Sequence, residues 1–177
     1  TIAVQEAEHR GPCERSFPGF SFVDIYTITP ELSAELKWQG DWKHPVLLNK
    51  WGATIAERKE TYIDREFLGS DRPGDYLEVP FTGTCIYVQG NLSENFGILE
   101  AYVDGELKQT RDMHIRQIWN GHRQATAVWI TGLSDEQHFL RVVVTGRKNP
   151  AATGTEIQLG RVVSYRGDIP LPPSAQE

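Results

Sequence analysis

The sequence predicts an all-β fold, an antiparallel β-sandwich of the jelly-roll kind, and three observations carry that expectation. Apolar and polar residues alternate with period 2, as at Leu77, Val79 and Phe81 within Asp75 to Phe81, the signature of a half-buried strand. Sixteen Gly and ten Pro against one Met in 177 residues describe a turn-rich β protein rather than a helical bundle. No segment shows a helical period of ordinary length; Ser33 to Leu36 and Leu133 to Gln137 could each make one turn at most.

The elements follow in chain order. Gly11-Pro12 and Pro18-Gly19 break up the first stretch, so residues 1–30 are expected to form an extended arm packed on the domain, with Phe22 to Tyr26 a short candidate strand. The sandwich is expected over 31–166. Glu35 to Gln39 and Thr61 to Phe67 are short strand candidates. Asp75 to Phe81 is followed by a Thr82-Gly83 turn and a strand from Cys85 to Val88. Gly97 to Val103 and Glu106 to Thr110 flank Asp104-Gly105. An Asp-Gly pair in that setting is a strong hairpin signal, because a type I′ turn needs positive φ at both central residues. Gln124 to Ile130 and His138 to Thr145 are rich in β-branched and aromatic residues, with Gly132 and Asp135 in the connection between them. The last strand is expected from Thr155 to Tyr165, and Pro170, Pro172 and Pro173 mark 167–177 as a tail or linker stub. Short strands with regular turn signals imply a sandwich or barrel.

Charge and composition exclude several classes. The formal charge is −6, with 18 basic and 24 acidic residues interspersed, so the basic stripe of a nucleic-acid binder is missing. No apolar run approaches the ~18 residues that span a bilayer, and no membrane partner is expected. The chain opens at Thr1 without a signal peptide and reads as a mature product or an excised domain. Cys13 and Cys85 permit at most one disulfide, which the sequence leaves open; their spacing supports neither a zinc site nor a redox motif.

Several stretches together resemble the galactose-binding-like jelly-roll domains, non-catalytic carbohydrate-binding modules attached to polysaccharide-active enzymes. Leu36-Lys37-Trp38-Gln39-Gly40-Asp41-Trp42 resembles their strand–Gly–x–Trp opening, and Gly74 to Thr84 is similar to their strand ending in Phe-Thr-Gly-Thr. Ala101-Tyr102-Val103-Asp104-Gly105 is similar to their Val-Tyr-Val-Asp-Gly hairpin. Gly132-Leu133, Gln137-His138, Val142 to Gly146 and Asn149-Pro150 follow their closing pattern, in which Gly is usual at the place of Gln137. The shared order and spacing, over roughly residues 35 to 165, carry more weight than any one motif. Related modules hold a structural Ca²⁺ between an N-terminal Glu-x-Glu and an Asp of the last strand. Glu6-Ala7-Glu8 matches the first half, whereas Gly160 stands where the Asp would be, so calcium has half a pattern and no cofactor is assigned.

Catalytic chemistry finds little support. Gly-x-Ser-x-Gly is absent, and Gly69-Ser70-Asp71, before Arg72-Pro73, reads as a loop with Asp71 capping local amides. The five histidines are scattered, without a metal-type pair. Glu78 and Glu100 fall on outward strand faces as solubilising positions. No catalytic residue or metal ligand is therefore assigned.

Binding fits the residues better. Sugars present apolar C–H faces edged with hydroxyls, so a sugar site pairs an aromatic platform with Arg, Asn, Asp or His. Trp38, Trp42 and Trp129 lie in or beside strands and are expected to pack in the core, whereas Trp51 and Trp119 fall in loops. In an antiparallel sandwich successive loops alternate between the two ends. Counting strands from Glu35 places loops 68–74, 90–96, 113–123 and 146–154 at one end, and loop 40–60, the Asp104-Gly105 turn and loop 131–136 at the other. The first end would gather Arg72, Asn91, Asn95, His114, Arg116, Trp119, Asn120, His122, Arg123, Arg147 and Asn149. From these, Trp119, Asn120, His122, Arg123, Arg72 and Asn149 are the expected sugar-binding residues, with Trp51 a lesser candidate at the other end. Guanidinium-rich loops also suit an acidic polysaccharide.

The expectation is a secreted, cell-surface or periplasmic carbohydrate-binding module. Its partners would be a polysaccharide or oligosaccharide and the catalytic domain of the same parent polypeptide. The alternative is a structural accessory sandwich that packs against a catalytic domain and binds no sugar.

Overall fold

The structure, a computed structural model, describes residues 25–28, 36–48, 61–63, 66–116 and 123–165. The strands among them are β1 (Ile25–Ile28), β2 (Lys37–Gln39), β3 (Val46–Leu48), β4 (Thr61–Ile63), β5 (Leu68–Ser70) and β6 (Tyr76–Thr82). They continue with β7 (Cys85–Leu92), β8 (Ile98–Val103), β9 (Glu106–Asp112), β10 (Arg123–Ile130), β11 (Gln137–Val144) and β12 (Ile157–Tyr165). One sheet has the order β1-β12-β7-β10 with β5 also on β12; the other runs β2-β6-β11-β8-β9; β3 and β4 form a separate pair. All the strand pairings are antiparallel. The fold class is thus an all-β sandwich of two antiparallel sheets.

Alternation builds the core between the sheets. Leu77, Val79 and Phe81 of β6, Leu140, Val142 and Val144 of β11, and Leu99, Ala101 and Val103 of β8 face Ile86 and Val88 of β7 and Ile157, Leu159 and Val162 of β12. Each fully buried aliphatic side chain contributes about 1.5–3 kcal/mol, and this interdigitated layer fixes the register of both sheets. Trp38 and Trp42 pack against the core as a T-shaped pair with centroids 4.8 Å apart. The Asp104-Gly105 hairpin forms as expected, with φ of 53° and 83° at its two central residues.

Several sequence-based expectations are corrected. The single strand expected from Thr61 to Phe67 is described as a strand only to Ile63; Phe67 is buried, and Leu68–Ser70 is a separate strand on β12. Strands β3 and β5, three residues each, are too short to show an alternation. Leu133 to Gln137, where one helical turn could have formed, is not helical: Leu133 N–H donates to Thr84 C=O at 3.0 Å, and Gln137 already opens β11. Trp129 is not a core residue. It pairs with Tyr87, whose neighbours Ile86 and Val88 point inward, so both rings lie on the outer face of the first sheet, centroids 6.2 Å apart. Its chain neighbours Val128 and Ile130 take the core side, and strict alternation leaves the indole between them on the outer one.

The expected position of the loop after β2 is also corrected. Gln39 pairs with Tyr76, so residues 40–43 leave β2 beside Asp75, at the same end as loop 71–75.

Candidate functional site

The loop end of the sandwich is built from side chains that bind backbone. Asp75 Oδ2 accepts the Asp41 N–H at 2.8 Å and the Ser70 hydroxyl at 2.6 Å, and Ser70 Oγ in turn accepts the Arg72 N–H at 3.2 Å. Gly40 makes this possible: its φ is +114°, and a Cβ there would lie 2.0 Å from the Asp75 carboxylate. Asp41 Oδ2 lies 2.8 Å from Lys43 Nζ and 3.0 Å from Arg72 Nη2. The Lys43 hydrogen bond, helped by the Arg72 charge, outweighs partial desolvation and lowers the Asp41 pKa. Arg72 therefore sits exposed on a fixed loop.

Neighbouring loops close around it. Thr155 Oγ1 donates to Asp71 C=O at 3.3 Å, Gly74 N–H to Val144 C=O at 2.8 Å, and Thr153 N–H to Glu94 C=O at 2.8 Å. Beneath them, Glu156 accepts Asn95 Nδ2 at 2.8 Å and Gln158 Nε2 at 2.7 Å, while Asn91 Nδ2 donates to Gln158 Oε1 at 2.9 Å. Asn149 Nδ2 donates to Asp112 Oδ2 at 2.8 Å, its own Oδ1 accepts the Ala151 N–H at 3.0 Å, and Asp112 Oδ1 accepts the His114 N–H at 2.9 Å.

Loops 71–75, 92–97, 112–116 and 145–156 thus converge at one end, and Arg72 and Asn149 lie on touching loops. Trp119, Asn120, His122 and Trp51 lie outside the described residues, as do Cys13, Glu6 and Glu8. Arg123 opens β10 opposite Leu92, which puts its backbone at the loop end. Asn91 reaches that end but is only 2% exposed, a supporting residue instead of a contact one. Arg147 is drawn to the Glu100 carboxylate on the outer face of the second sheet.

That outer face is a second candidate region, missed from sequence. A groove of about 500 Å³ is lined by Glu78, Tyr102, Asp104, Gly105, Phe139, Arg141 and Val143. Arg141 stands opposite Glu78 on one side and Tyr102 on the other. Its Nε and Nη2 donate to Glu78 Oε2 at 3.0 and 2.6 Å, and its guanidinium lies 4.5 Å from the centre of the Tyr76 ring. The Tyr102 hydroxyl donates to Glu100 Oε2 at 2.6 Å, and that bond, with partial desolvation adding, raises its pKa. Phe139 is 51% exposed. Its signal was present in the alternation: with His138, Leu140 and Val142 inside, a phenylalanine falls on the solvent side.

His138 ties the groove to the strand turn at its rim. It is buried, with Nδ1 2.7 Å from Asp104 Oδ2 and Nε2 2.8 Å from the Ser134 carbonyl, two acceptors that favour the imidazolium. Burial works against the charge, but the Asp104 bond, the Ser134 carbonyl and the Asp104 and Glu136 charges together raise the His138 pKa. The His138 bond also lowers the Asp104 pKa against a desolvation cost, helped by the Phe139 amide, which donates to Asp104 Oδ1 at 2.8 Å.

Comparisons with known proteins were made for the chain. No protein-family profile matches it. It is 27% identical over 122 residues to the A type blood alpha-D-galactosamine galactosaminidase of Flavonifractor plautii, a match covering 67% of this chain and 10% of that protein. Among solved structures, a two-domain esterase (CEX) active on acetylated mannans superposes with a TM-score of 0.53 at 14% identity, covering 87% of this chain and 40% of that one. The CBM36-1 domain of a multidomain xylanase from the hindgut metagenome of Trinervitermes trinervoides matches with a TM-score of 0.46 at 12% identity, covering 82% of this chain and 100% of that one. The chain thus spans a tenth of the galactosaminidase and under half of the esterase. It is a β-sandwich similar in fold to part of a carbohydrate esterase and partly similar in sequence to a galactosaminidase.

Proposed function

We propose that the chain is a non-catalytic carbohydrate-binding module that brings an attached, secreted or surface-held enzyme to its polysaccharide. The observation that carries this function is the convergence of loops 71–75, 92–97, 112–116 and 145–156 into one end whose loops are tied by side-chain hydrogen bonds. The segment that bears Trp119, Asn120 and His122 joins Arg116 to Arg123, and both of those residues belong to this end. An indole offers the apolar platform for a sugar face, with Arg72, Arg123, His122, Asn120 and Asn149 as hydrogen-bonding partners for the hydroxyls. Holding Arg72 and Asn149 on hydrogen-bonded loops lowers the entropy lost on binding. Tethering to a catalytic domain then raises that domain's effective concentration at the polymer.

Retention of the isolated chain in affinity gels across a polysaccharide panel tests this. Wild type is expected to be retarded by at least one polymer, and Trp119→Ala to lower its affinity about tenfold or more, as for an aromatic hot spot. Unchanged retention of Trp119→Ala removes the loop-end site. The structural-accessory function is favoured by one observation, the exposed Leu107 and Phe139 on the second sheet. It predicts no retention of the wild type on any polymer. Turnover of a glycan ester or polysaccharide by the isolated chain would overturn both.

A further inference from the structure

We propose that the outer face of the β2-β6-β11-β8-β9 sheet is a second saccharide site, for an uncharged glycan laid across the strands; this rests on the sugar-binding function above. Glu78, Arg141 and Tyr102 stand in register on three adjacent strands, a polar row about 10 Å long at the usual strand spacing. Phe139, two residues before Arg141 on the same face, adds an exposed aromatic ring to one side of the row. The groove over them is large enough, at about 500 Å³, for a small oligosaccharide segment.

The polar groups are held before any ligand arrives. Two bonds to Glu78 and the Tyr76 ring hold the Arg141 guanidinium, and Glu100 anchors the Tyr102 hydroxyl. Asp104 is fixed by His138 and by the Phe139 amide. Preorganised donors and acceptors beside an aromatic ring match a polyhydroxylated ligand.

The charges select among glycans. Glu78 is paired with Arg141, Asp104 with His138, and Glu100 with Arg147. An acidic sugar would meet the Glu78, Glu100 and Asp104 carboxylates and find, among the described residues, only Lys37, at the edge of the row opposite Glu78, outside these pairs, whereas neutral hydroxyls add bonds to lone pairs and N–H groups already in place. Leu107, in register with Tyr102 on β9 and half-exposed, extends the row with an apolar side chain, so a protein contact is the competing occupant that the oligomeric-state readout decides.

The test uses the full chain as wild type, Trp119→Ala, Phe139→Ala and the double variant, in affinity gels containing xylan, galactomannan, mixed-linkage β-glucan or polygalacturonate. Phe139 is half-exposed, so its truncation spares the core, and Arg141→Ala serves as an independent second variant on the same face. The expected result is residual retention of Trp119→Ala on a neutral polymer. Phe139→Ala or Arg141→Ala added to Trp119→Ala weakens that residual retention at least about tenfold, with melting temperatures lowered by no more than about a few degrees. Complete loss in Trp119→Ala, with Phe139→Ala and Arg141→Ala as wild type, overturns the second site and leaves the loop-end function standing. No retention of the wild type overturns both. A change of oligomeric state in Phe139→Ala without a change in retention makes the face a protein contact and also overturns the proposal.

Discussion

The loop end and the outer face of the second sheet achieve order by different means. At the loop end the backbone has few ladder partners, so buried or half-buried side chains hold it: Asp75 grips Asp41 and Ser70, and Glu156 grips Asn95 and Gln158. On the sheet face the ladder itself places Glu78, Arg141 and Tyr102, and their cross-strand contacts only fix side-chain rotamers. A side-chain substitution can therefore deform the loop end, whereas on the sheet face it changes chemistry and leaves geometry alone.

Substitutions can separate the two. The largest effect is expected from Leu140→Ala, which empties a fully buried site between the sheets and costs about 2–5 kcal/mol. Both regions should fail together in that variant, seen as a large drop in melting temperature with loss of all ligand retention. Glu156→Ala removes the shared acceptor of Asn95 and Gln158 and costs about 1–3 kcal/mol. Hydrogen exchange should then accelerate over 93–97 and stay at wild-type rates over 139–143; equal acceleration in both would erase the distinction.

A smaller effect is expected from pH. The raised His138 pKa means that the folded chain binds this proton more tightly than the unfolded one, so the stabilisation is full below the ordinary histidine range. It is lost as pH rises through the folded value. The lowered Asp104 pKa gives the opposite edge: its contribution is present above the ordinary carboxylate range and lost as pH falls through the folded value. Denaturant midpoints should thus be highest between these edges, and the alkaline decline should flatten in His138→Gln. A wild-type midpoint constant from acid through alkaline pH contradicts a stabilising His138–Asp104 pair. The smallest stability effect is expected at Arg141→Met, at most about 1 kcal/mol by equilibrium unfolding, since the Glu78 pair is half-exposed.

The long strands were legible because burial imposes a simple rule on them. Leu77, Val79 and Phe81, or Leu140, Val142 and Val144, can sit between two sheets only if every other residue faces out. The Asp104-Gly105 turn was legible for an equally local reason, its positive φ angles. Strands β3 and β5 were not, because three residues carry no period and their pairing is set by β4 and β12 from elsewhere in the chain. The clustering of the loops was readable from strand parity, yet the role of each residue there was not. Asn91 and Arg147 have the composition of contact residues, but Gln158 and Glu100 claim them through the fold. Phe139 was overlooked for the opposite reason: a phenylalanine in a strand was read as part of the strand, and only its parity against Leu140 shows that it faces solvent.

Sugar recognition by this sandwich is tested most directly by a glycan array probed with the labelled chain. Binding is predicted to a set of chemically related saccharides and to fall sharply in Trp119→Ala. A chain that binds no glycan on the array, or binds the same set undiminished after Trp119→Ala, would contradict the loop-end site at the centre of the account.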